Sequence, residues 1–426
     1  MDNKELTPKI RFSGFTDLWE QRKLDDLGTT YTGLSGKTKE DFGHGAASFV
    51  TYMNVFLNPV TDAKRVESVE IDKTQNTVRY GDVFFTTSSE TPEEVGMSSV
   101  WLENTEDTYL NSFCFGYRPT AEIDPYYMAY MLRSESVRKK IIYLAQGISR
   151  YNISKNGVMQ IEIPIPNNDE QKSIGKYFKH LDNLITLHQR KYEKLQNIKK
   201  SMLEKMFPRD GSNIPEVRFA GFTDPWEQRK FSEVFVGLQN NTLSRADLNY
   251  NQGDIKNVHY GDVLIKFGEY IDAASAELPY INDSSIESKF TKSLLKNGDI
   301  IIADTAEDET VGKCCEITNS DGMKLLSGLH TIAVRPQQKY ASKFLGYYLN
   351  SNAYHSQLLP LMQGIKVTSI SKGALQDTVL TVPVNLDEQE KIGECLSHID
   401  DIITLHQRKL EKLKNIKKSM LESMFV

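Results

Sequence analysis

Two segments of the chain have the hydrophobic pattern of a long amphipathic helix. In residues 170–207 the apolar side chains recur at steps of three and four, and residues 388–425 repeat the same spacing. Such a stripe, with a period near seven residues, marks the buried face of a helix. The pattern predicts two helices of 38 residues, each about 57 Å long at 1.5 Å per residue. The stripe residues are Ile174, Phe178, Leu181, Ile185, Tyr192, Leu195, Ile198, Met202 and Met206 in the first segment, and Ile392, Leu396, Ile399, Ile403, Leu410, Leu413, Ile416, Met420 and Met424 in the second.

The two helical segments are nearly the same sequence, with 26 identities in 38 positions. A second repeat lies farther upstream in each half: RFSGFTDLWEQRKL begins at Arg11, and RFAGFTDPWEQRKF begins at Arg218. The sequence between these repeats is much less alike. The chain therefore has a duplicated frame that holds two different blocks.

The ends of the predicted helices carry recognisable signals. Asn167-x-x-Glu170 and Asn385-x-x-Glu388 have the spacing of capping boxes, in which two side chains satisfy free backbone N–H groups. Pro208 is expected to end the first helix, because the residue before a proline is driven out of the helical conformation.

A helix with one apolar stripe cannot bury that stripe alone. One interpretation is a coiled coil that serves only for oligomerisation. The repeat favours another, in which the two helices pair antiparallel within one chain and relate its halves by a pseudo-two-fold axis. Identity at exposed positions then predicts the same docking surface twice. The candidate docking residues are His188, Arg190, Lys191, Lys199, Lys200, His406, Arg408, Lys409, Lys417 and Lys418.

The two blocks between the repeats mix short strand-like runs with Gly- and Asn-rich turns. Predicted strands cover residues 83–87 and 263–267, each after a Tyr-Gly-Asp turn, and residues 299–303 after Asn-Gly. One helix is predicted from Pro125 and one from Ser342.

A third repeated signature, Gln-Gly-Ile followed by Ile-Ser-Lys, begins at Gln146 and again at Gln363 with the same spacing. Residues 149–152 and 366–369, which lie inside it, differ completely between the two copies. The two blocks thus share a fold while their loops differ. Loops on a rigid scaffold commonly carry recognition.

These patterns predict an α+β protein with two mixed α/β domains, separated by two long antiparallel helices and related by an internal pseudo-two-fold repeat. The predicted boundaries are a shared N-terminal segment at 1–24, a first domain at 25–169, a central helix at 170–207, a linker with the second shared segment at 208–231, a second domain at 232–387 and a C-terminal helix at 388–426.

Composition places the chain among ordinary globular proteins, with 39% hydrophobic and 25% charged residues. No apolar run reaches the roughly 18 residues of a membrane span, and the N-terminus lacks the apolar core of a signal peptide. Four cysteines without a C-x-x-C pair argue against a disulfide framework or a zinc site. A cytoplasmic protein is expected.

The net charge of −6 conceals an uneven distribution. Lysine and arginine against aspartate and glutamate give −7 for residues 25–169, −5 for residues 232–387 and +5 for residues 170–207. Overall charge therefore does not indicate a nucleic-acid-binding protein, and any such contact must depend on local patches or on basic partners.

Three motifs resemble catalytic or metal sites but do not match them fully. Residues 33–38, Gly-Leu-Ser-Gly-Lys-Thr, place two residues between the glycines where a phosphate-binding loop needs four. Residues 124–127, Asp-Pro-Tyr-Tyr, lack the second proline of the amino-methyltransferase motif and are better interpreted as a helix start. The carboxylates of residues 304–309 are better interpreted as an acidic surface loop than as a metal site. No catalytic group or bound metal is therefore predicted.

Taken together, the repeated motifs identify a resemblance. The chain resembles the specificity (S) subunit of type I restriction–modification enzymes over nearly its whole length. The resemblance rests on the paired G-F-T-x-x-W-E-Q-R-K segments at Gly14 and Gly221, the two Y-G-D-V turns, the two Q-G-I…I-S-K segments and the paired E-Q…I-G…I-T-L-H-Q-R-K helices. Each motif is weak alone, but their repeated order is specific.

The resemblance implies a division of labour. Each domain would be a target recognition domain that reads one half of a bipartite double-stranded DNA site, and the helices would fix the gap between the halves. Two methyltransferase (M) subunits would dock on the helices, and two motor-nuclease (R) subunits would join for cleavage. No cofactor is expected on this chain, whereas S-adenosylmethionine, ATP and Mg²⁺ are expected on the partner subunits.

Sequence readout requires hydrogen-bonding side chains at base edges. We expect them in the loops that differ between the two blocks, with Arg150 the strongest candidate because arginine can contact guanine through two hydrogen bonds. The candidate DNA-binding residues are Ser35, Lys37, Thr38, Thr87, Ser88, Ser89, Arg150, Tyr151 and Asn152 in the first domain, and Lys266, Tyr270, Thr305, Lys366 and Thr368 in the second. For each, the alternative is a solvated loop residue or a hydroxyl that stabilises a turn.

Two other functions remain open on the sequence. One is a stand-alone two-domain DNA-binding or scaffolding protein without a methyltransferase partner. The other is a stand-alone nuclease, which would cut DNA with Mg²⁺ alone.

Overall fold

The computed structural model describes residues 7–209 and 211–426. The chain forms two compact units. The first unit contains the chain up to Gln189 together with Gln407–Val426, and the second unit contains Arg190–His406. Each long helix therefore contributes residues to both units. Within the described residues, no helix is both long and apolar enough to cross a membrane.

The first unit consists of short strands and helices that precede a helix of 38 residues, α6. Its strands are β1 (Glu20–Lys23), β2 (Gly28–Thr32), β3 (Phe42–Val50), β4 (Val66–Val69), β5 (Val83–Thr86), β6 (Ser88–Ser89), β7 (Ser98–Val100), β8 (Thr108–Leu110), β9 (Cys114–Pro119), β10 (Tyr151–Asn152) and β11 (Glu162–Ile165). Its helices are α1 (Leu24–Leu27), α2 (Tyr52–Leu57), α3 (Pro125–Met131), α4 (Glu135–Tyr143), α5 (Lys155–Met159) and α6 (Asn168–Lys205), of which α6 continues into the second unit, with 3-10 turns at Lys39–Asp41 and Pro92–Glu94.

The second unit repeats this order and ends in a second helix of 38 residues, α13. Its strands are β12 (Glu227–Lys230), β13 (Phe235–Gly237), β14 (Leu248–Asn249), β15 (Ile255–Val258), β16 (Tyr270–Asp272), β17 (Tyr280–Ile281), β18 (Ile300–Ala303), β19 (Thr305–Ala306), β20 (Cys314–Thr318), β21 (Lys324–Ser327), β22 (Thr331–Pro336), β23 (Thr368–Ser369) and β24 (Val379–Val382). Its helices are α7 (Phe231–Val234), α8 (Tyr260–Ile265), α9 (Glu287–Phe290), α10 (Phe344–Asn350), α11 (Asn352–His355), α12 (Lys372–Leu375) and α13 (Leu386–Ser423), of which α13 continues into the first unit, with 3-10 turns at Arg245–Asp247, Ser284–Ile286, Thr291–Ser293 and Leu359–Leu361.

The sheets of the two units have matching topology. The main sheet has the order β2-β9-β5-β7 in the first unit and β13-β22-β18-β20-β16 in the second, which adds one parallel edge strand. The smaller sheet has the order β4-β3-β8 in the first unit and β14-β17-β15-β21 in the second. In both smaller sheets one pair is parallel, β3 with β8 and β15 with β21. The two blocks therefore share one fold, as the sequence predicted.

The repeated G-F-T segments close each unit onto the start of its helix. In the first unit Arg11 donates from Nε and Nη2 to the two carboxylate oxygens of Glu170 at 2.6 and 2.7 Å, and the indole of Trp19 donates to the same buried carboxylate at 3.1 Å. Directly after Trp19, the four residues of β1 pair antiparallel with β11. The sequence repeat here is thus a structural closure.

The second unit builds the same closure from equivalent residues. Arg218 donates to Glu388 at 2.6 and 2.8 Å, and Trp226 donates to it at 3.3 Å. Strand β12 pairs antiparallel with β24. In both units the glutamine after the glutamate accepts a hydrogen bond from a backbone N–H that lies shortly before a helix of the domain. Gln171 accepts from Asp124, before α3, and Gln389 accepts from Ala341, before α10.

The two long helices meet in the same way in each unit. In the first unit Phe178 of α6 stacks on Phe425, and Asp182 of α6 binds Lys417 of α13 at 2.5 Å. The chain directions at these contacts are therefore opposed, and the helix segments pair antiparallel. The equivalent contact in the second unit joins Lys199 of α6 to Asp400 of α13 at 2.7 Å.

A tyrosine from each domain completes this contact. Tyr130 donates its hydroxyl to Asp182 at 2.8 Å, and Tyr347 donates to Asp400 at 2.6 Å. Burial and the adjacent carboxylate raise the pKa of both hydroxyls, so both remain protonated donors. The tyrosine, aspartate and lysine therefore join domain and helices in both halves.

The predicted stripe is confirmed, because none of its residues is exposed. The helices begin and end two residues earlier than predicted, at Asn168–Lys205 and Leu386–Ser423. The capping boxes are only half right. Asn167 accepts the N–H of Glu170 at 2.9 Å. The glutamate carboxylates, however, turn to the arginines described above.

One predicted strand is wrong. Residues 263–267 do not form a strand, because helix α8 covers Tyr260–Ile265 after His259 caps it by accepting the N–H of Gly261. The true counterpart of the first Tyr-Gly-Asp turn is Asn297-Gly298-Asp299. Asp82 binds Arg118 and Asp299 binds Arg335 in the same manner, at 2.7 and 2.6 Å. The second Y-G-D-V motif is a chance likeness.

The predicted strands at 83–87 and 299–303 are confirmed as β5 and β18. The helices predicted from Pro125 and Ser342 are each divided into two, α3 with α4 and α10 with α11. Asp124 caps α3 by accepting the N–H of Tyr127, as expected for a helix start with proline at the first position.

We predict that Glu170→Ala lowers the free energy of unfolding of the first unit by about 3 kcal/mol, because it leaves Arg11 and Trp19 without their buried acceptor. Glu388→Ala should cost the second unit a similar amount. The measurement is a urea denaturation curve that is monitored by tryptophan fluorescence.

Glu20→Ala is the matched control, since Glu20 is exposed and lies 3.8 Å from Arg22. Its effect should stay within about 0.5 kcal/mol. An effect of Glu170→Ala as small as that of the control would contradict the closure described here.

Candidate nucleic-acid interface

The loop of the Gln-Gly-Ile signature is built identically in both units. Gln146 and Asn152 exchange two backbone hydrogen bonds of 2.9 and 2.8 Å, and Gln363 and Ser369 do the same. The loop is tied to the domain by a two-stranded pairing, β10 with β6 in the first unit and β23 with β19 in the second. The two ends of each loop are thus held by backbone hydrogen bonds, and the short loop between them projects from the domain.

In the first unit this loop borders a cleft of 440 Å³. Arg150 donates to the hydroxyl of Ser88 at 3.2 Å, and Ser89 donates to Glu94 at 3.2 Å. The structure therefore brings together three predicted residues, Arg150, Ser88 and Ser89. The residues that line the cleft are Tyr52, Met53, Phe56, Ser88, Ser89, Glu90, Glu94, Ser149 and Arg150.

The other wall of the cleft was not predicted. Tyr52 and Phe56 of α2 stack with ring centroids 5.9 Å apart, and Tyr52 donates to the carbonyl of Ser88 at 2.7 Å. Burial raises the pKa of the Tyr52 hydroxyl, so it stays protonated. A helix of six residues is too short to show a period. No periodic signal in the sequence therefore marks this wall of the cleft.

The remaining candidates of the loop region have separate roles. Thr87 donates to the carbonyl of Phe113 at 2.9 Å, so its hydroxyl stabilises the strand end. Tyr151 is half-buried and Asn152 is exposed. Neither residue lines the cleft.

Ser35, Lys37 and Thr38 lie in a different loop and do not line this cleft. Lys37 pairs with Asp72 at 2.9 Å, a hydrogen bond that raises the lysine pKa. Thr38 caps a 3-10 turn through Asp41. This loop is therefore held by its own contacts.

In the second unit Thr305 and Thr368 lie close together on the pairing of β19 with β23. Their hydroxyls are engaged locally: Thr305 donates to Asp304 at 2.7 Å, and Thr368 donates to the carbonyl of Asp308 at 3.0 Å. Lys366 is exposed at the loop tip. Within the nearby acidic run, Asp308 accepts hydrogen bonds from Thr310.

The last two candidates lie elsewhere. Lys266 follows α8, and its ammonium group binds Glu277. Tyr270 on β16 packs on Tyr347 with centroids 6.3 Å apart, and burial, with the charges of α13 carboxylates, raises its pKa to about 12. Tyr270 therefore lies beside the helix α13 and not with Thr305 and Thr368.

The docking candidates on the long helices divide into three groups. Lys199 and Lys417 are partly buried in the ion pairs that join the helices. Burial lowers the pKa of Lys199, but Glu269 and Asp400 outweigh this and leave the pKa raised. His188 and His406 are half-buried, whereas six of the candidates are exposed: Arg190, Lys191, Lys200, Arg408, Lys409 and Lys418.

Each unit also has a groove beside its helix pair, of 490 Å³ in the second unit and 430 Å³ in the first. The two grooves use equivalent positions of the repeat. The shared lining is Gln196, Lys199, Lys200, Leu203, Glu204, Asp400 and Ile403 in the second unit, and Lys414, Lys417, Lys418, Leu421, Glu422, Asp182 and Ile185 in the first.

Known proteins are similar to this chain in sequence and in fold. The chain is 23% identical over 98% of its length to the putative type I restriction enzyme MjaX specificity subunit of Methanocaldococcus jannaschii, and covers 95% of that protein. It is 22% identical to the type I restriction enzyme StySPI specificity subunit of Salmonella potsdam over 81% of this chain and 74% of that one.

A solved structure agrees. The S subunit of the type I restriction–modification system of M. genitalium matches 99% of both chains with a TM-score of 0.59 at 15% identity. The family model described as type I restriction modification DNA specificity domain matches residues 16–197 and again residues 223–415. With two such matches covering most of its length, the chain belongs to the family of type I restriction–modification DNA specificity subunits.

Proposed function

We propose that this chain is the sequence-reading subunit of a type I complex, in which each unit reads one half of a bipartite DNA site. The observation that carries the proposal is the contrast inside each unit. The closure at Glu170 and Glu388 is the same in both, and so is the base of each Gln-Gly-Ile loop. The loop residues at 149–152 and 366–369 differ completely.

In the first unit the cleft supplies the chemistry that base reading needs. The Arg150 guanidinium offers donors that match the O6 and N7 acceptors of guanine in the major groove. Glu90 and Glu94 on the same cleft could accept from the amino group of cytosine. The stacked Tyr52 and Phe56 give the cleft a rigid wall.

We also propose that the long helices set the distance between the half-sites and dock two methyltransferase subunits. The duplicated grooves support this, because two equivalent surfaces in one chain suit two copies of one partner. Motor-nuclease subunits would join the same complex.

In this proposal the chain itself is not catalytic. Its partners would bind S-adenosylmethionine, ATP and Mg²⁺. Basic partners would also supply phosphate contacts that the acidic blocks of this chain lack.

The alternative is a DNA-binding or scaffolding protein without a methyltransferase partner. Affinity purification from the native host separates the two possibilities. The proposal requires co-purification of a protein with an N-P-P-[YF] methyltransferase motif, and its absence would favour the alternative.

Arg150→Ala should relax recognition at one base pair of one half-site, by about 5- to 150-fold, since a good bidentate contact discriminates by about 1–3 kcal/mol. The measurement is the methylation rate of the assembled enzyme on the native site and on single-base variants. Arg65→Ala is the control, because Arg65 is exposed and pairs with Asp62 at 3.5 Å. Unchanged specificity in the Arg150 variant would reject this role.

A second prediction concerns the spacing. Seven residues inserted after Gln189 and seven after His406 keep the phase of the apolar stripe. They lengthen each helix by about 10 Å, which corresponds to about three base pairs. Long-read mapping of methylated adenines should show the same half-sites with a longer gap. Altered half-sites with the original gap would contradict the proposed spacing role.

A further inference from the structure

The Gln-Gly-Ile loops share one residue that the fold does not explain. Ile148 is 94% exposed and Ile365 is 101% exposed. They occupy the same position of the repeat. A single exposed apolar side chain is ordinary on a protein surface. Here, however, two exposed isoleucines lie at equivalent loop tips, and the residues after them differ. The presence of isoleucine at both tips therefore needs one shared explanation.

The other shared isoleucines of these loops have a clear structural role. Ile153 and Ile370 are buried in the domain cores. Their N–H groups donate to the carbonyls of Thr87 and Asp304 at 3.0 and 2.8 Å. Packing therefore accounts for their identity in the two units, but it cannot account for Ile148 and Ile365.

The backbone fixes where the exposed isoleucines project. Gly147 and Gly364 have φ of 139° and 123°. A Cβ at either glycine would lie 2.0 Å from a carbonyl oxygen across the loop, that of Arg150 or Val367. No other residue fits at these positions without rearrangement, so each loop presents its isoleucine at a defined tip.

We infer that Ile148 and Ile365 are apolar wedges that enter the DNA at one base step in each half-site. This inference rests on the proposed function. Side chains such as isoleucine can insert between base pairs, where they partly unstack the step. Methyltransferases must also extrude their target base from the duplex, and we expect a wedge in the opened stack to stabilise that state. Such a contact does not depend on the DNA sequence, so both units can use the same residue for it.

The position of the isoleucines favours DNA over a protein partner. Arg150 lies two residues after Ile148 and borders the base-reading cleft, and Lys366 directly follows Ile365. A partner that binds both units identically needs a surface that is identical around the contact. Here the next four residues differ at every position. Equivalent surfaces for a shared partner occur instead on the helices.

The test uses the full chain assembled with its methyltransferase on a duplex that carries its mapped site. 2-Aminopurine replaces the target adenine in one half-site at a time, and its fluorescence reports extrusion of the base. Ile148→Ser should lower the equilibrium constant for base extrusion, obtained from the fluorescence gain, by about tenfold in one half-site only, which corresponds to about 1.4 kcal/mol. Ile365→Ser should do the same in the other half-site only.

Matched variants separate this from a general effect. Ile265 is 89% exposed at the end of α8, and Ile265→Ser should leave both signals unchanged. Ile148→Leu, which keeps an apolar side chain, should retain most of the signal.

Three results would overturn the inference. The first is wild-type fluorescence in both serine variants. The second is loss of methyltransferase assembly without DNA, with extrusion unchanged in the complex that remains; this would assign the isoleucines to partner binding. The third is a wild-type complex that does not distinguish its mapped site from a scrambled duplex, which would overturn the proposed function as well.

Discussion

A buried carboxylate at the first turn of each long helix is the constraint on which the rest depends. Glu170 and Glu388 each accept two hydrogen bonds from an arginine and one from a tryptophan of the preceding G-F-T segment. A carboxylate buried without these donors would cost several kcal/mol. The segment, the strand that follows it and the helix start are thereby held as one frame, which explains why these residues recur in both halves of the chain.

The frame leaves the Gln-Gly-Ile loops free to differ. Each loop keeps its conformation through three features. These are the glycine at 147 or 364, the backbone hydrogen bonds between the first and last residues of the loop, and the buried isoleucine at 153 or 370. Residues 149–152 and 366–369 are exposed or only partly buried, so core packing does not fix their identity. One fold can therefore carry Arg150 in one unit and Lys366 in the other, and this separation of frame from loop suits the proposed reading of two unlike half-sites.

The sequence was informative where the signal lies within one element, such as the period of a helix or the residue that caps it. The stripes of α6 and α13 and the cap at Asp124 required no long-range information. The sequence failed where contacts join distant residues. The Y-G-D-V likeness at Tyr260 concealed a helix, because the Asp299–Arg335 pair that marks the true equivalent turn spans 36 residues. The sequence did not predict that Tyr52 and Phe56 line the cleft. It also did not predict the ion pairs of Lys199 and Lys417, which lie in the grooves proposed for docking and which only the helix pairing reveals.

The central claim is that the two units read DNA independently. Replacing residues 25–169 by the corresponding block of a family member with a different target tests it most directly, with methylated adenines mapped by long-read sequencing of a host that expresses the chimera and the methyltransferase. If the two units read DNA independently, one half-site changes while the other half-site and the gap are retained. A change in both half-sites, or in neither, would contradict it.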